Sequence, residues 1–280
     1  MNAYEMLLQL RYNVGETTDG TTSRWRNIEL LRNLNLAQNK VYQQLSLIDE
    51  TWFMKKSSAI TPSSSSISLP SDCGKPAYLE EASSGRNLPI RGTVRERRLT
   101  RIPGTTIFSG VVDVYALANT LEVNQDSFTD QVYLWYIQKP VDLHTGTAAA
   151  GAATSLTLEA SLGHSVINDY YNGQTIVVVS GTGVGSDTIS DYVGSTRVCT
   201  VTGTYSTDSV YGTVSILPEQ AHGLILLEAT ALSFMKPGTS VDPTVIQNVR
   251  GALADEREHV ENWFSERVAA SHHVRITELD

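Results

Sequence analysis

Residues 25–45, WRNIELLRNLNLAQNKVYQQL, repeat apolar side chains at intervals of three and four. The recurring positions are Trp25, Ile28, Leu31, Leu34, Ala37, Val41 and Leu45. This period is typical of an amphipathic helix that buries one stripe, and it predicts a helix capped by Thr22 or Ser23 that runs to about Ile48. The stripe needs partners, because a helix by itself has only marginal stability in water.

The partners are expected from the other end of the chain. Residues 219–235, EQAHGLILLEATALSFM, follow Pro218, a residue favoured in the first turn of a helix. A last helix opens at Asp242-Pro243 and presents one apolar face, formed by Ile246, Val249, Leu253, Val260 and Phe264. A shorter helix is predicted over Tyr4–Tyr12. The economical arrangement packs the early helices against the late ones.

The sequence between these helices is typical of short strands separated by Gly, Ser and Thr turns. We therefore predict an α+β fold with a helical-bundle core formed by the N- and C-terminal helices, intervening β-strands and an inserted small β module. The predicted parts are a discontinuous helical core (1–60 and 217–270), a β region packed on it (61–144), the inserted module (145–216) and an extended C-terminal arm (271–280).

Composition narrows the class of protein. The chain has 280 residues and a net charge of −9, which argues against the basic surface of a nucleic-acid reader. Cys73 and Cys199 lie too far apart in sequence for a disulfide framework or a zinc motif. The first residues lack a signal-peptide pattern, and no apolar run reaches the roughly 18–20 residues of a membrane span. We expect a soluble protein made in the cytosol.

Motifs that suggest chemistry have simpler explanations. Gly181-Thr-Gly183-Val-Gly185 follows a strand, as in dinucleotide folds, but the residues after it have a strand pattern, so we predict a hairpin turn. Glu256 and His259 have the Glu-x-x-His spacing of di-iron bundles without the second pair that such sites need. We expect no catalytic residue, no metal and no cofactor.

Two groups of residues are candidates for contacts with other proteins. The cluster Arg91, Arg95, Arg97, Arg98 and Arg101 either meets an acidic partner or phosphate groups, or is the solvated face of a hairpin. The helix that follows Pro218 is apolar nearly all round, so its residues either contact neighbouring copies or are covered within one chain. The inter-subunit candidates in it are Leu224, Ile225, Leu227 and Leu232.

Taken in order, several stretches resemble the head-to-tail adaptor (connector, head-completion) proteins of tailed bacteriophages. They are WRNIELLRNLNLAQNKVYQQL, a strand ending in ISLPSD, VYLWYIQKPVDL, LPEQAHGLILLEATALSFM and ADEREHVENWF. Separately, GQTIVVVSGTGVGSDTISDYVGSTRVCTV resembles a small β module inserted into various phage structural proteins. The insertion at about 145–216 departs from simpler adaptors, and it could contact the capsid, the next tail protein or its own neighbours.

The resemblance implies a non-enzymatic homo-oligomeric ring, twelve-fold to match the portal, at the head–tail interface of the virion. The ring would assemble in the host cytoplasm, bind the portal protein and the next neck or tail protein, and let double-stranded DNA pass without sequence-specific binding. No membrane is involved. The C-terminal arm would dock on the portal, as the alternation around Val274, Arg275, Ile276 and Leu279 suits an added strand.

A second hypothesis is a virion surface or tail protein whose β module binds carbohydrate or capsid. Aromatic rings that stack on a sugar would be needed for the carbohydrate reading. The module supplies Tyr170, Tyr171, Tyr192, Tyr205 and Tyr211 as a candidate stacking platform.

Overall fold

The computed structural model describes residues 1–16, 24–63, 66–93, 114–117, 119–123, 130–236 and 241–276. They form two compact units, the first of Met1–Asp49 with Pro140–Asp280 and the second of Glu50–Lys139. Each unit has a buried apolar cluster of its own.

Four α-helices lie in the described part of the first unit. They are α1 (Ala3–Asn13), α2 (Asn27–Ile48), α3 (His222–Phe234) and α4 (Pro243–Ile276). Short 3-10 helices cover Glu50–Phe53 and Glu219–Ala221. The four predicted helices are therefore confirmed. None of the helices among the described residues is long and apolar enough to cross a membrane.

The starts of the first two helices follow from local hydrogen bonds. At α1 the Asn2 side chain accepts the Glu5 N–H while the Glu5 carboxylate accepts the Asn2 N–H, each at 3.1 Å, which forms a capping box. At α2 the Glu29 carboxylate accepts the N–H of Arg26 at 3.2 Å. The helix thus begins later than the predicted caps, Thr22 and Ser23, which lie outside the described residues.

The second unit is built on one seven-stranded sheet that curls into a half-barrel, in the order β1-β7-β3-β4-β5-β6-β2. Its strands are β1 (Met54–Lys56), β2 (Ser66–Ser68), β3 (Cys73–Glu81), β4 (Asn87–Thr93), β5 (Val114–Leu117), β6 (Thr120–Val123) and β7 (Val132–Gln138). β4 and β5 pair in parallel and the other pairs are antiparallel. Alternate residues of β7, such as Val132 and Leu134, enter the buried cluster.

The β strands of the first unit form two four-stranded antiparallel sheets, ordered β13-β14-β10-β9 and β12-β11-β15-β8. Their bounds are β8 (Thr145–Thr147), β9 (Ala150–Ala152), β10 (Ser155–Thr157), β11 (Thr175–Ser180), β12 (Gly185–Thr188), β13 (Asp191–Val193), β14 (Val198–Thr200) and β15 (Val210–Thr213). Side chains from both sheets share one buried cluster. We call residues 145–216 the β module.

The predicted fold class, an α+β protein with a helical-bundle core, is wrong. The described chain is mostly β, with fifteen strands in three sheets against four helices. The reason is that strongly periodic helices dominate a reading of the sequence, whereas strands of three or four residues carry little pattern. Helices from the two ends of the chain do pack together, α2 on α3 and α3 on α4, but beside the sheets of the first unit and not as the core of the molecule.

The predicted extended arm also differs from the structure. Residues 271–276 continue α4 to its end at Ile276, so Val274, Arg275 and Ile276 have helical backbone, and Leu279 lies outside the described residues. The alternation of apolar and polar residues over so short a stretch did not outweigh continuation of a helix that was already formed, because adding a residue to an existing helix needs no new nucleus.

Candidate assembly surface

We call the helices α1, α2, α3 and α4 the helical layer. Within it, side-chain hydrogen bonds join α1 and α2 to α3. Asn13 Nδ2 on α1 donates to Thr230 Oγ1 at 3.2 Å, and Asn33 Nδ2 on α2 donates to Ser233 Oγ at 2.9 Å. The hydroxyls of Thr230 and Ser233 in turn donate to backbone carbonyls one turn earlier in α3. These polar residues interrupt the apolar surface of α3 and select its neighbours.

A buried carboxylate links three of the helices. Glu228 on α3 pairs with Lys40 of α2 and, at 3.5 Å, with Arg257 Nη2 of α4. Glu228 is buried, whereas Lys40 and Arg257 each keep part of the side chain in solvent. A buried carboxylate is stable only when it is paired, so Glu228 fixes the relative positions of α2, α3 and α4.

Lys236, just after α3, holds the start of α2. Its ammonium donates to the Glu29 carboxylate at 2.8 Å and to the Arg24 carbonyl at 2.9 Å, and it lies 4.5 Å from the centre of the Trp25 ring. The hydrogen bond from Lys236 lowers the pKa of Glu29. The negative charge of Glu29 is therefore paired with Lys236 within the chain.

Helix α4 is largely exposed. Of its 34 residues, Val260 and Phe264 are the buried apolar ones among the side chains that the structure describes, while Ile246, Val249 and Leu253 on the same stripe are half-buried. The other faces carry polar and charged residues. The stripe predicted from the sequence is present, but the rest of the first unit covers only part of it.

An open cleft of about 710 Å³ lies between α2 and the β module, with all its lining in the first unit. Its walls are Ile28, Glu29, Leu31, Arg32, Asn35, Leu36 and Asn39 from α2, Asp142 and Leu143, and Leu162, Gly163, His164, Ser165, Tyr170 and Tyr171 from the module. Asn35 ties α2 to the segment just before the β module, since it accepts the Leu143 N–H at 2.7 Å and donates to the Leu143 carbonyl at 3.2 Å.

The charged and polar groups of the cleft differ in whether they have a partner within the chain. Glu29 is bound by Lys236, and Asp142 lies beside the Tyr170 hydroxyl. Within the part of the chain that the structure describes, the Arg32 guanidinium has no hydrogen-bond or ion-pair partner, and the buried Nδ1 of His164 has none either. Ile28, which the sequence assigns to the buried stripe of α2, lines this cleft and is 43% exposed, so that prediction is wrong.

The tyrosines proposed as a sugar-binding platform form the core of the β module. Tyr171, Tyr192, Tyr205 and Tyr211 are buried, and Tyr170 is half-buried against them. Tyr171 meets Tyr192 edge to face with 4.8 Å between ring centres. These rings pack on one another and leave no exposed platform of the kind expected for carbohydrate, so the predicted role of these tyrosines is wrong.

A buried histidine lies under one wall of the module. His144 Nδ1 is 2.9 Å from the Tyr211 hydroxyl, and that hydroxyl accepts the Glu159 N–H at 2.8 Å. Burial, followed by the nearby His164, lowers the pKa of His144 to about 4. His144 is therefore neutral at pH 7, and its role in this network is structural.

Asp187 ties the hairpin β11–β12 to the segment at 202–205. Its carboxylate accepts the N–H groups of Thr202 and Gly203, each at 2.8 Å, and the hydroxyl of Tyr205 at 3.1 Å. Burial raises the pKa of Asp187, but the hydrogen bonds outweigh burial and lower the pKa to about 2.

The predicted contact residues fall in different places. Leu224 and Ile225 are buried within the chain, so these two cannot face a neighbour, while Leu227 and Leu232 are half-buried. Arg91 lies on β4, and Arg95, Arg97, Arg98 and Arg101 lie outside the described residues.

The glycine-rich motif is a hairpin, as predicted. β11 and β12 pair antiparallel on either side of it. Gly181 has a φ of +85°, and a Cβ there would lie 2.1 Å from the carbonyl oxygen of Asp208, so the turn requires glycine for a close backbone approach. Glu256 and His259 belong to no group of three or more potential metal ligands in the described residues.

Sequence reasoning missed the cleft. A signal for it does exist, because Ile28, Arg32 and Leu36 recur every four residues along α2, beside the buried stripe and not within it. The module wall of the cleft carries no comparable pattern.

The comparisons with known proteins do not identify a family. No protein-family model matches the chain, and no curated protein matches it. Among solved structures, one that aligns is the flagellar hook junction protein FlgK from Burkholderia pseudomallei, at 10% identity and a TM-score of 0.13. The alignment covers 90% of this chain and 59% of that one, and a TM-score this low carries no argument about the fold or the function.

Proposed function

We propose that this protein is a structural subunit of the head-to-tail adaptor ring of a tailed bacteriophage. It would sit beneath the portal at the head–tail interface of the virion, extend the DNA channel, and present a docking surface to the next neck or tail protein. The proposal starts from the resemblance of the sequence to that family. It assigns the protein no catalytic role.

The observation that carries the proposal is the exposure of α4. A helix of 34 residues is about 50 Å long, and the first unit buries only Val260 and Phe264 among its described apolar side chains. Helices in water derive most of their stability from packing an apolar face. A helix of this length with a half-covered stripe therefore supports a role in which other chains complete its packing.

The chain's charge suits a DNA conduit. At −9, the protein would repel the phosphate backbone, so DNA could pass through a ring of such subunits without being held. In this proposal DNA is cargo in transit, and the portal and the next neck or tail protein are the binding partners. Twelve copies would match a twelve-fold portal.

We assign the portal contact to residues 271–280, the end of α4 and the four residues after it. In contrast to the extended arm expected from the sequence, residues 271–276 would approach the portal as a helix. Truncation after residue 270 should leave the fold intact, because Val260 and Phe264, the buried apolar residues among the side chains of α4 that the structure describes, lie upstream of it.

Native mass spectrometry of the chain mixed with the portal protein of the same phage tests the proposal. We expect a complex with one copy per portal subunit, and no such complex with the variant truncated after residue 270. The melting temperature of that variant should match that of the full chain, and its helical circular dichroism signal should fall only by the contribution of residues 271–276. Failure of the full chain to associate with the portal would contradict the adaptor function.

A further inference from the structure

We infer that adjacent copies of this chain join by seating the outer face of α1 of one copy in the cleft between α2 and the β module of the next. The inference rests on the proposed ring, and it names the contact between subunits. The occupant is a second copy, and its contact residues are Leu8 and Tyr12.

Two apolar side chains that line the cleft are exposed to solvent. Ile28 is 43% exposed and Leu36 51% exposed, and they lie two helical turns apart on the same side of α2. A volume of about 710 Å³ is in the range of clefts that bury drug-sized molecules, so a leucine and a tyrosine side chain fit together in it.

The outer face of α1 presents matching convex residues. Leu8 is 49% exposed and Tyr12 77% exposed, and their spacing of four residues places them together on one side of the helix. The opposite side of α1 is already used, because Met6, Leu7 and Leu10 are buried. Single exposed apolar residues are ordinary, but two exposed pairs, each aligned along one helix, indicate contact surfaces.

Charge favours the same pairing. Arg32 lies between Ile28 and Leu36 in the cleft and has no partner among the described residues. The outer face of α1 carries the Glu5 carboxylate, and the basic residue of α1, Arg11, points inward and donates to Asn27 at 2.6 Å. The Tyr12 ring can also accept a guanidinium on its face. An unpaired cation thus meets an acidic and aromatic surface.

The geometry of a ring requires two different surfaces. A cyclic assembly of more than two copies uses a head-to-tail interface, in which one patch of each subunit contacts a different patch of the next. The outer face of α1 and the cleft are different patches on different elements. A helix seated in an apolar groove is also a common mode of recognition.

The decisive test is a pair of charge substitutions on the full chain with its portal. Leu8→Lys would place a cation opposite Arg32, and Arg32→Glu would remove the attraction, so we expect each to lower the fraction of assembled ring at least tenfold. The combination of Leu8→Lys with Arg32→Glu should restore assembly, since the two new charges attract. Native mass spectrometry counts the assembled copies.

Leu47 supplies the matched control. It is a leucine near the end of α2 with 89% exposure, outside the cleft, so Leu47→Lys should leave assembly unchanged and should not rescue Arg32→Glu. All three positions, Leu8, Arg32 and Leu47, are exposed, and we expect unchanged melting temperatures.

The outcomes separate this contact from the proposed function. If the wild-type chain assembles on the portal and both single variants assemble equally well, the contact is wrong and the adaptor function stands. If both single variants fail and the double variant is not rescued, another surface such as α4 occupies the cleft, which also overturns the contact. A wild-type chain that never assembles overturns both proposals.

Discussion

The β module and the helical layer belong to the same unit, yet they bury their apolar residues to different extents. In the module, four of the five candidate tyrosines are inside, and both sheets close on one cluster. In the helical layer, Leu8, Tyr12 and Leu36 are exposed, and the stripe of α4 is half covered. The module is therefore complete within one chain, and the helical layer is where we expect other chains to add contacts.

The largest expected effect comes from comparing a tyrosine in the β module with a tyrosine in the helical layer. Tyr171→Ala should lower the free energy of unfolding by about 3–5 kcal/mol, because it removes a ring packed edge to face against Tyr170 and Tyr192. Tyr12→Ala, on the exposed face of α1, should change stability by less than about 0.5 kcal/mol. Urea denaturation followed by near-ultraviolet circular dichroism measures both.

The contrast would break if the two alanine variants lost equal stability, since the exposed tyrosine would then have a structural role. We expect the reverse order in assembly on the portal. There Tyr12→Ala should be the more damaging of the two substitutions at temperatures where both variants are folded.

The two regions also differ in how far their sequences predict them. The four helices follow from apolar residues spaced by three and four, and Asp242-Pro243 correctly marks the start of α4. The pattern fails for Ile28, because residues at the edge of a stripe are buried or exposed according to what packs beside them. The cleft could not be predicted, since it requires Asn35 to meet Leu143, 108 residues away.

In the β module the strand pattern predicts strands but not which face is buried. A shift of one residue reverses the faces of a strand, and strands of three residues, such as β13, contain too few positions to decide. Tyr192 on β13 could therefore be assigned to the surface from sequence alone, although it is buried. The parallel pairing of β4 with β5 in the second unit likewise has no counterpart in local sequence.

Acid should destabilise both regions through one histidine each. The pKa of His144 in the module is lowered to about 4 by burial and then by His164, and the pKa of His222 in α3 is lowered to about 4 by burial and then by the α-ammonium of Met1. The unfolded chain takes up these protons near pH 6.5 and the folded chain does not, so stability is full above that pH and falls towards pH 4.

At pH 5 each histidine should cost about 2 kcal/mol relative to pH 7. Urea titrations at several pH values, with His144→Gln and His222→Gln, measure the two contributions separately. Each variant should lose part of the slope between pH 6.5 and pH 4. A slope unchanged in both variants would show that other groups cause the acid sensitivity.

Within the helical layer, the pairing of Glu228 should contribute less than a module core residue. Glu228→Ala removes the carboxylate that joins α2 and α4 to α3, and we expect a loss of about 1–2 kcal/mol. The loss is moderate because Lys40 and Arg257 can turn to solvent once the carboxylate is gone. Glu228→Gln keeps the shape and one acceptor and should lose less, and thermal unfolding compares the two variants.

The smallest expected effect tests whether the module is held together by more than its core. Asp187→Asn should cost about 1 kcal/mol, because an amide oxygen can keep the donors of Thr202 and Gly203, which share one carboxylate oxygen, but the N–H₂ group then faces the N–H of Thr188. The pKa of Asp187 is about 2 in the folded chain, below its ordinary value of 3.8, so its stabilisation is present above about pH 4 and is lost as the pH falls towards 2. The wild-type module should therefore lose stability between pH 4 and pH 2 more steeply than the Asp187→Asn variant, as measured by acid unfolding. Equal slopes would mean that the buried tyrosine cluster alone maintains the module. The contrast with the helical layer, whose helices are joined by side-chain hydrogen bonds and ion pairs, would then be stronger than we propose.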